Sequence, residues 1–237
     1  MENLIKKSMV IVLLLACQMV MAQNELIREE RKISAFTAIK ASGIANVYLT
    51  NGSQEKVEVE VNDKEFNERL KVEVVNNTLV IRMENWENWN NRNNDIKLKI
   101  YVTYNNLRSL EGSGATNFTA DNEIKADQFK LDLSGANNSK LNINADKITV
   151  ETSGASNATL TGRTNNLNIS SSGASNIKAY DLKAESVNAE SSGVSNIYVS
   201  ADDNLEVRAS GLSNINYKGN AKVVTREVSK MANIHKH

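Results

Sequence analysis

The sequence predicts an all-β fold, a right-handed, single-stranded parallel β-helix whose rungs are about twenty residues long. Three observations predict it. First, the signature Ser-Gly-x-x-Asn occurs seven times. After one copy at Ser42-Gly43-Ile44-Ala45-Asn46, six more follow at intervals of 18 to 21 residues. Their glycines are Gly114, Gly135, Gly154, Gly173, Gly193 and Gly211, and their asparagines are Asn117, Asn138, Asn157, Asn176, Asn196 and Asn214. Second, residues flanking each copy alternate between apolar and polar, the pattern of a half-buried strand. Third, proline is absent, where average usage gives about eleven in a chain of this size. Each proline removes a backbone donor, which a continuous ladder tolerates poorly.

The chain opens as an export signal. Lys6 and Lys7 precede the apolar run Met9 to Ala16, and Val20-Met21-Ala22 offers small-residue cleavage before Gln23. Leu14-Leu15-Ala16-Cys17 resembles a lipobox, but the apolar run continues past the cysteine through Met19-Val20-Met21. Cleavage after Ala22 is therefore the expected processing, with lipidation at Cys17 the alternative. The run is too short to span a bilayer comfortably, so no membrane span is expected in the mature chain. Removing Lys6, Lys7 and Glu2 from 28 basic and 28 acidic residues leaves 26 and 27. That near-neutral balance gives no electrostatic reason to expect nucleic acid as a partner. Cys17 is the only cysteine, so core and ladders, not disulfides, must hold the fold.

One domain is expected over residues 30–235, with a less regular β-rich part (30–106) and regular rungs (107–234). In the first part, Asn51-Gly52 lies between Val47-Tyr48-Leu49 and the alternating Val57-Glu58-Val59-Glu60-Val61, and reads as a tight hairpin turn. Asn76-Asn77 likewise joins Val72-Glu73-Val74 to Leu79-Val80-Ile81. Asp63 to Leu70 suits a short helical turn, and Ile96 to Ile100 is another alternating strand.

Within the rungs, residues six and four before the glycine are Phe129/Leu131, Ile148/Val150, Leu167/Ile169, Val187/Ala189 and Leu205/Val207. The residue two before is usually small: Thr152, Ser171, Ser191, Ala209. After the glycine come Phe118/Ala120, Ser139/Leu141, Ala158/Leu160, Ile177/Ala179, Ile197/Val199 and Ile215/Tyr217. Asn144-Ala145-Asp146, Gly162-Arg163-Thr164 and Ala201-Asp202-Asp203 read as polar turns leading to the next rung. Like strands stack in parallel at about 4.8 Å, and parallel crossovers are overwhelmingly right-handed. Glycine supplies the corner's backbone angle, and the asparagines are expected to form a buried amide ladder from rung to rung. Ser229-Lys230-Met231-Ala232-Asn233 keeps Ser and Asn but places lysine at the glycine position, as suits a degraded terminal repeat.

These residues resemble the bacterial family described as "putative autotransporter adhesin, head GIN domain". The resemblance is carried by the entry Phe36-Thr37-Ala38-Ile39-Lys40-Ala41-Ser42-Gly43-Ile44-Ala45-Asn46-Val47, the strand pairs after it and the run of Ser-Gly-(Ala/Val/Leu)-(Ser/Asn/Thr)-Asn corners. It covers about residues 30 to 235 and departs at Lys230. It implies an exported bacterial β-helical domain and supplies no catalytic residues to carry over.

Chemistry is sparse. The two histidines, His235 and His237, sit in the terminal tail, so no metal site, cofactor or activated nucleophile is expected. An outer column of Asp132, Glu151, Ser170, Glu190 and Arg208 brings carboxylates one rung apart. Paired carboxylates are what sugar cleavage needs, but mixed signs read as a solvated face. Trp86 and Trp89 lie in the Asn-rich segment 84–95. Exposed rings beside amides suit sugar stacking; an apolar lid over the helix is the bland alternative. The sequence thus points to a non-enzymatic cell-envelope or surface scaffold. A carbohydrate-binding or polysaccharide-active protein and a periplasmic sensor are the alternatives. A surface glycan or another envelope protein is the partner class expected; oligomeric state is not legible.

Overall fold

Two half-ladders meeting at a glycine corner make up this chain. The computed structural model describes residues 26–84, 96–229 and 231–237; the N-terminal segment read as an export signal, Trp86, Trp89 and Lys230 lie outside the described residues. In chain order the elements are β1 (Ile27–Arg31), β2 (Ala38–Asn51), β3 (Lys56–Val61), α1 (Lys64–Arg69), β4 (Leu70–Val75), β5 (Thr78–Met83) and β6 (Leu98–Tyr104). Then follow β7 (Ser109–Ala120), β8 (Ile124–Gly135), β9 (Asn138–Gly154), β10 (Asn157–Ser171), β11 (Asn176–Ser191) and β12 (Asn196–Ala209). The chain closes with β13 (Asn214–Lys218), β14 (Lys222–Val228) and β15 (Asn233–Lys236). They form a parallel β-solenoid of about 7 turns with rungs about 19 residues apart.

Register explains the corner. Gly43 pairs with Gly114, Gly114 with Gly135, and Gly135 with Gly154. All seven signature glycines have φ between 70° and 101°, a region other L-residues adopt only under strain. The corner is also too close for a side chain. A Cβ on Gly114, Gly135, Gly154, Gly173, Gly193 or Gly211 would lie 2.5–2.7 Å from the carbonyl oxygen of the glycine one rung earlier. That same oxygen accepts the inter-rung hydrogen bond: Ala155 N–H donates to Gly135 O at 2.8 Å and Ala174 N–H to Gly154 O at 2.7 Å.

Between corners the strands are longer than the sequence suggests. The segments read as polar turns, Asn144-Ala145-Asp146, Gly162-Arg163-Thr164 and Ala201-Asp202-Asp203, lie inside β9, β10 and β12. Pairing runs on through them, with Asn144 opposite Arg163 and Ala145 opposite Thr164. Neighbouring rungs satisfy the backbone there, so the chain changes direction without leaving the ladder.

One apolar core runs from Phe36 to Ala232. Bulk is traded inside the first two regular rungs. Where glycine stands at 112, the ring of Phe118 fills the space, 2.9 Å from where a Cβ would sit. In the next rung Leu133 is large and Ser139 small, both buried. Such compensation keeps packing dense without a fixed residue at either position.

The first 80 residues depart from the simple coil. On one side of β2, its first half pairs in parallel with β5 and its second half with β6. Together these two strands stand in for a rung. Antiparallel strands then cover them: β4 on β5, and β3 followed by β1 on β6. The hairpin read at Asn51-Gly52 does not form, because β6 is inserted between β2 and β3. The hairpin at Asn76-Asn77 does form, both residues having left-handed φ (49° and 59°), with Val75 opposite Thr78. Helix α1 is capped by Asp63, whose carboxylate accepts from Phe66 N–H at 2.8 Å, and buries Phe66 in the core.

At the C-terminal end the described residues show no antiparallel strand. Among the described residues β14 pairs only with β12 and β15 only with β13. Val223 and Ile234 are half-buried there, and Val224 and Val228 are exposed.

Two substitutions separate the angle from the contact at the corner. A Cβ on Gly43 meets nothing within 4 Å, so Gly43→Ala should cost about 1–2 kcal/mol for the backbone angle alone. Gly154→Ala adds the backbone collision and should cost about 3 kcal/mol or more. Urea midpoints measure both; equal costs would show that inter-rung approach is not what demands glycine.

Candidate functional site

The repeated signature divides into inward and outward columns. The residue two after each glycine faces inward: Thr116, Asn137, Ser156, Ser175, Ser195 and Ser213 are all at most 1% exposed. Each is tied to the backbone of its own corner. Ser156 Oγ lies 3.2 Å from the carbonyl oxygens of both Ser153 and Gly135, and Ser195 Oγ lies 3.2 Å from those of Ser192 and Gly173. Asn137 donates to Ser134 O at 2.7 Å and accepts from Thr116 N–H at 3.1 Å. A short side chain that bonds three residues back holds a turn by local geometry. This column carries the buried polar role that the sequence reading gave to the asparagines; its signal was the unbroken Thr/Asn/Ser at that place.

The asparagines themselves lie on the outside, because period two places them between two inward residues. Asn138 and Asn157 are exposed, while Asn117, Asn176, Asn196 and Asn214 are half-buried. Side-chain amide bonds join Asn117 to Asn46 (2.8 Å), Asn157 to Asn138 (3.1 Å), Asn214 to Asn196 (3.0 Å) and Asn233 to Asn214 (3.1 Å). Between Asn117 and Asn138 the Asn138 backbone N–H donates to Asn117 Oδ1 instead (3.0 Å), and Asn176 interrupts the series, its buried Oδ1 having no partner. The ladder is thus a surface feature with a gap, not a buried column.

Three residues before each glycine, and before Lys230 in the last repeat, the outward positions stack Lys40, Glu111, Asp132, Glu151, Ser170, Glu190, Arg208 and Glu227. Cations bridge this column. Lys40 pairs with Glu111. Lys130 lies 3.4 Å from Asp132 and 2.8 Å from Glu151, and its pKa is raised, chiefly by the hydrogen bond to Glu151. Arg208 reaches Glu190, Glu206 and Glu227 at 3.1–3.6 Å. Asp132 and Glu151 are therefore a pair held by an ammonium group. Among the described residues no three metal-ligating side chains converge.

A shallow cleft of about 460 Å³ follows this column near the C-terminal end, between Ser170, Glu190, Arg208 and the serines Ser192 and Ser210. Along the corner, Val194 and Leu212, each one residue after its glycine, and Met231, at the same place after Lys230, stand 57%, 51% and 66% exposed. Tyr180 and Tyr198 meet edge to face at 5.3 Å, with the Lys218 ammonium 5.2 Å from the Tyr180 ring. Trp86 and Trp89, the sequence's candidate contact residues, lie outside the described residues. The strands on either side of them, β5 and β6, pair with β2 before and after Gly43.

A one-path parallel solenoid with a Ser-Gly corner in every regular rung defines a repeat scaffold. The chain belongs to the family described as "Putative auto-transporter adhesin, head GIN domain", whose model matches residues 35–221. Among solved structures, a protein named a putative adhesin from Bacteroides fragilis is 24% identical with a TM-score of 0.84, over 90% of this chain and 97% of that one. A putative adhesin from Parabacteroides distasonis is 21% identical with a TM-score of 0.69, over 91% and 98%. A protein named a putative lipid binding protein, also from Parabacteroides distasonis, is 20% identical with a TM-score of 0.66, over 91% and 98%. At these identities the likeness is one of fold. No curated protein matches the chain.

The two columns should differ in energetic weight. Ser156→Ala removes a fully buried hydroxyl and should destabilise by about 1–2 kcal/mol, whereas Asn157→Ala, on the surface, should cost under about 1 kcal/mol. Denaturant titration of both variants checks the order, and a larger loss at Asn157 would reverse this reading.

Proposed function

We propose that this protein is an exported, non-enzymatic scaffold of the cell envelope or surface, presenting its rung faces for adhesion. Membership of a family described as adhesin-like supports this, and so does the start of the chain, which reads as an export signal. One observation carries the non-enzymatic part. Of the carboxylates stacked in the outward column, Glu111 is paired with Lys40, and Asp132 and Glu151 are both bound by Lys130. A carboxylate that attacks or protonates a sugar needs open access to it; the bridging ammonium occupies that face of both groups. The residues that repeat are used by the corner itself, and outward chemistry differs from rung to rung, as on a scaffold whose surface varies over a constant frame.

Two measurements test this. Protease added to intact cells should digest the protein while sparing a periplasmic marker; protection equal to the marker's would remove the surface assignment. Incubation with neutral and acidic polysaccharides should release no new reducing or unsaturated ends. Product formation lost in Asp132→Asn or Glu151→Gln would overturn the non-enzymatic reading.

A further inference from the structure

A second surface, distant from the glycine corner, has the makings of a ligand site. Two adjoining clefts of about 510 and 480 Å³ share Arg108 and Asp127 and so form one groove across the start of β7 and β8 and the middle of β9. Four cations line it: Arg108, Lys125, Lys130 and Lys147. Asp127 is the one carboxylate of the lining. Lys130 is held by Glu151, and Lys125 lies a loose 3.7 Å from Glu123. Neither Arg108 nor Lys147 has an ion-pair partner among the described residues.

Arg108 breaks the pattern of its own rung. It stands six before its glycine, the place taken by buried Phe129 and Ile148 in the next two rungs. Here the chain swings out: Leu107 is 0% exposed and takes the interior, leaving the guanidinium in the groove. Its root is fixed from both sides. Arg108 N–H donates to Thr37 O at 2.8 Å, and Arg108 O accepts from Lys130 N–H at 2.9 Å. Register sets the rest, with Lys147 beside Gln128 and Asn144 beside Lys125. The amides of Asn105, Asn106 and Asn144 complete the walls.

Cations on a rigid ladder, interleaved with amides that both donate and accept, match a chain carrying carboxylates among hydroxyls. We infer that the groove of Arg108, Lys125 and Lys147 binds an acidic polysaccharide built of uronic acid units. Single-stranded nucleic acid fits less well, since the lining offers no open ring for base stacking, Phe129 being 2% exposed. This inference rests on the reading of the domain as a non-catalytic binding scaffold.

The test uses the folded mature chain with oligogalacturonate and alginate oligosaccharides, neutral malto-oligosaccharides of equal length, a short oligothymidylate and phosphatidylglycerol vesicles. Calorimetry should show at least one of the two acidic sugars binding about tenfold or more tighter than the neutral sugar. Arg108→Ala/Lys147→Ala should weaken it by about tenfold. Lys222→Ala/Arg226→Ala, the same loss of charge at the far end, should leave it within about twofold. Far-ultraviolet dichroism and melting confirm that these exposed substitutions leave the fold intact. Absence of binding by both acidic sugars at about 1 mM overturns the inference, as does equal weakening by the two double variants. Tighter binding of the oligothymidylate or the vesicles also overturns it. If the acidic sugars do not bind but the protein is surface-exposed and cleaves nothing, the scaffold reading stands; if a bound sugar is cleaved, the scaffold reading falls and the groove stands.

Discussion

The close approach of backbone to backbone at the glycine corner sets the terms for the whole molecule. Each corner carbonyl receives the N–H of the residue after the next rung's glycine, as Leu212 N–H donates to Gly193 O at 2.8 Å. A side chain at the glycine would occupy the space that this bond needs. Rungs can therefore stack only in register there, and differences in rung length must be absorbed elsewhere. They are: pairing between β10 and β11 shifts between Thr159 and Thr161, and pairing between β11 and β12 shifts between Ala179 and Lys183. The corner is the fixed point, and the opposite side of each rung takes up the slack.

This division explains what could be read in the sequence. The period and the inward pairs were legible because every rung repeats the same physical demand: Leu131, Val150, Ile169 and Ala189 are all buried as their alternation implies. Asn51-Gly52 misled because a turn signal is local, while the partner of β2 is chosen by the solenoid. The second half of β2 takes β6, about fifty residues later, as its parallel neighbour, and β3 is pushed one strand outward. Asn76-Asn77 held because no parallel strand competes for β4. The asparagines were over-read for a related reason. Repetition marks a constraint without saying on which side of the strand it acts, and the buried half of that constraint belongs to the residue before them.

The functional surfaces were less legible still. Arg108, Lys125 and Lys147 fall six, ten and seven residues before their respective glycines, so no alignment of repeats brings them together. Only register does, by setting β7, β8 and β9 side by side. The stacked carboxylates were the reverse case, visible in the alignment and altered in meaning by Lys130, a residue from a different column. In a solenoid, columns are written in the repeat, whereas clefts are written across it.

The unequal ends give the molecule a direction. Antiparallel strands and α1 close the first rung, while β14 and β15 each have one neighbour and leave Val224 and Val228 in water. In a linear array, each unit is held by its own stability and by the interfaces on either side. Among the described residues, β14 and β15 have one such interface, and each regular rung before them has two. Local opening should thus cost least in β14 and β15 and more in β13 and β12, which are paired on both sides. A linear array closed on one side and open on the other frays from the open side, as a zipper does.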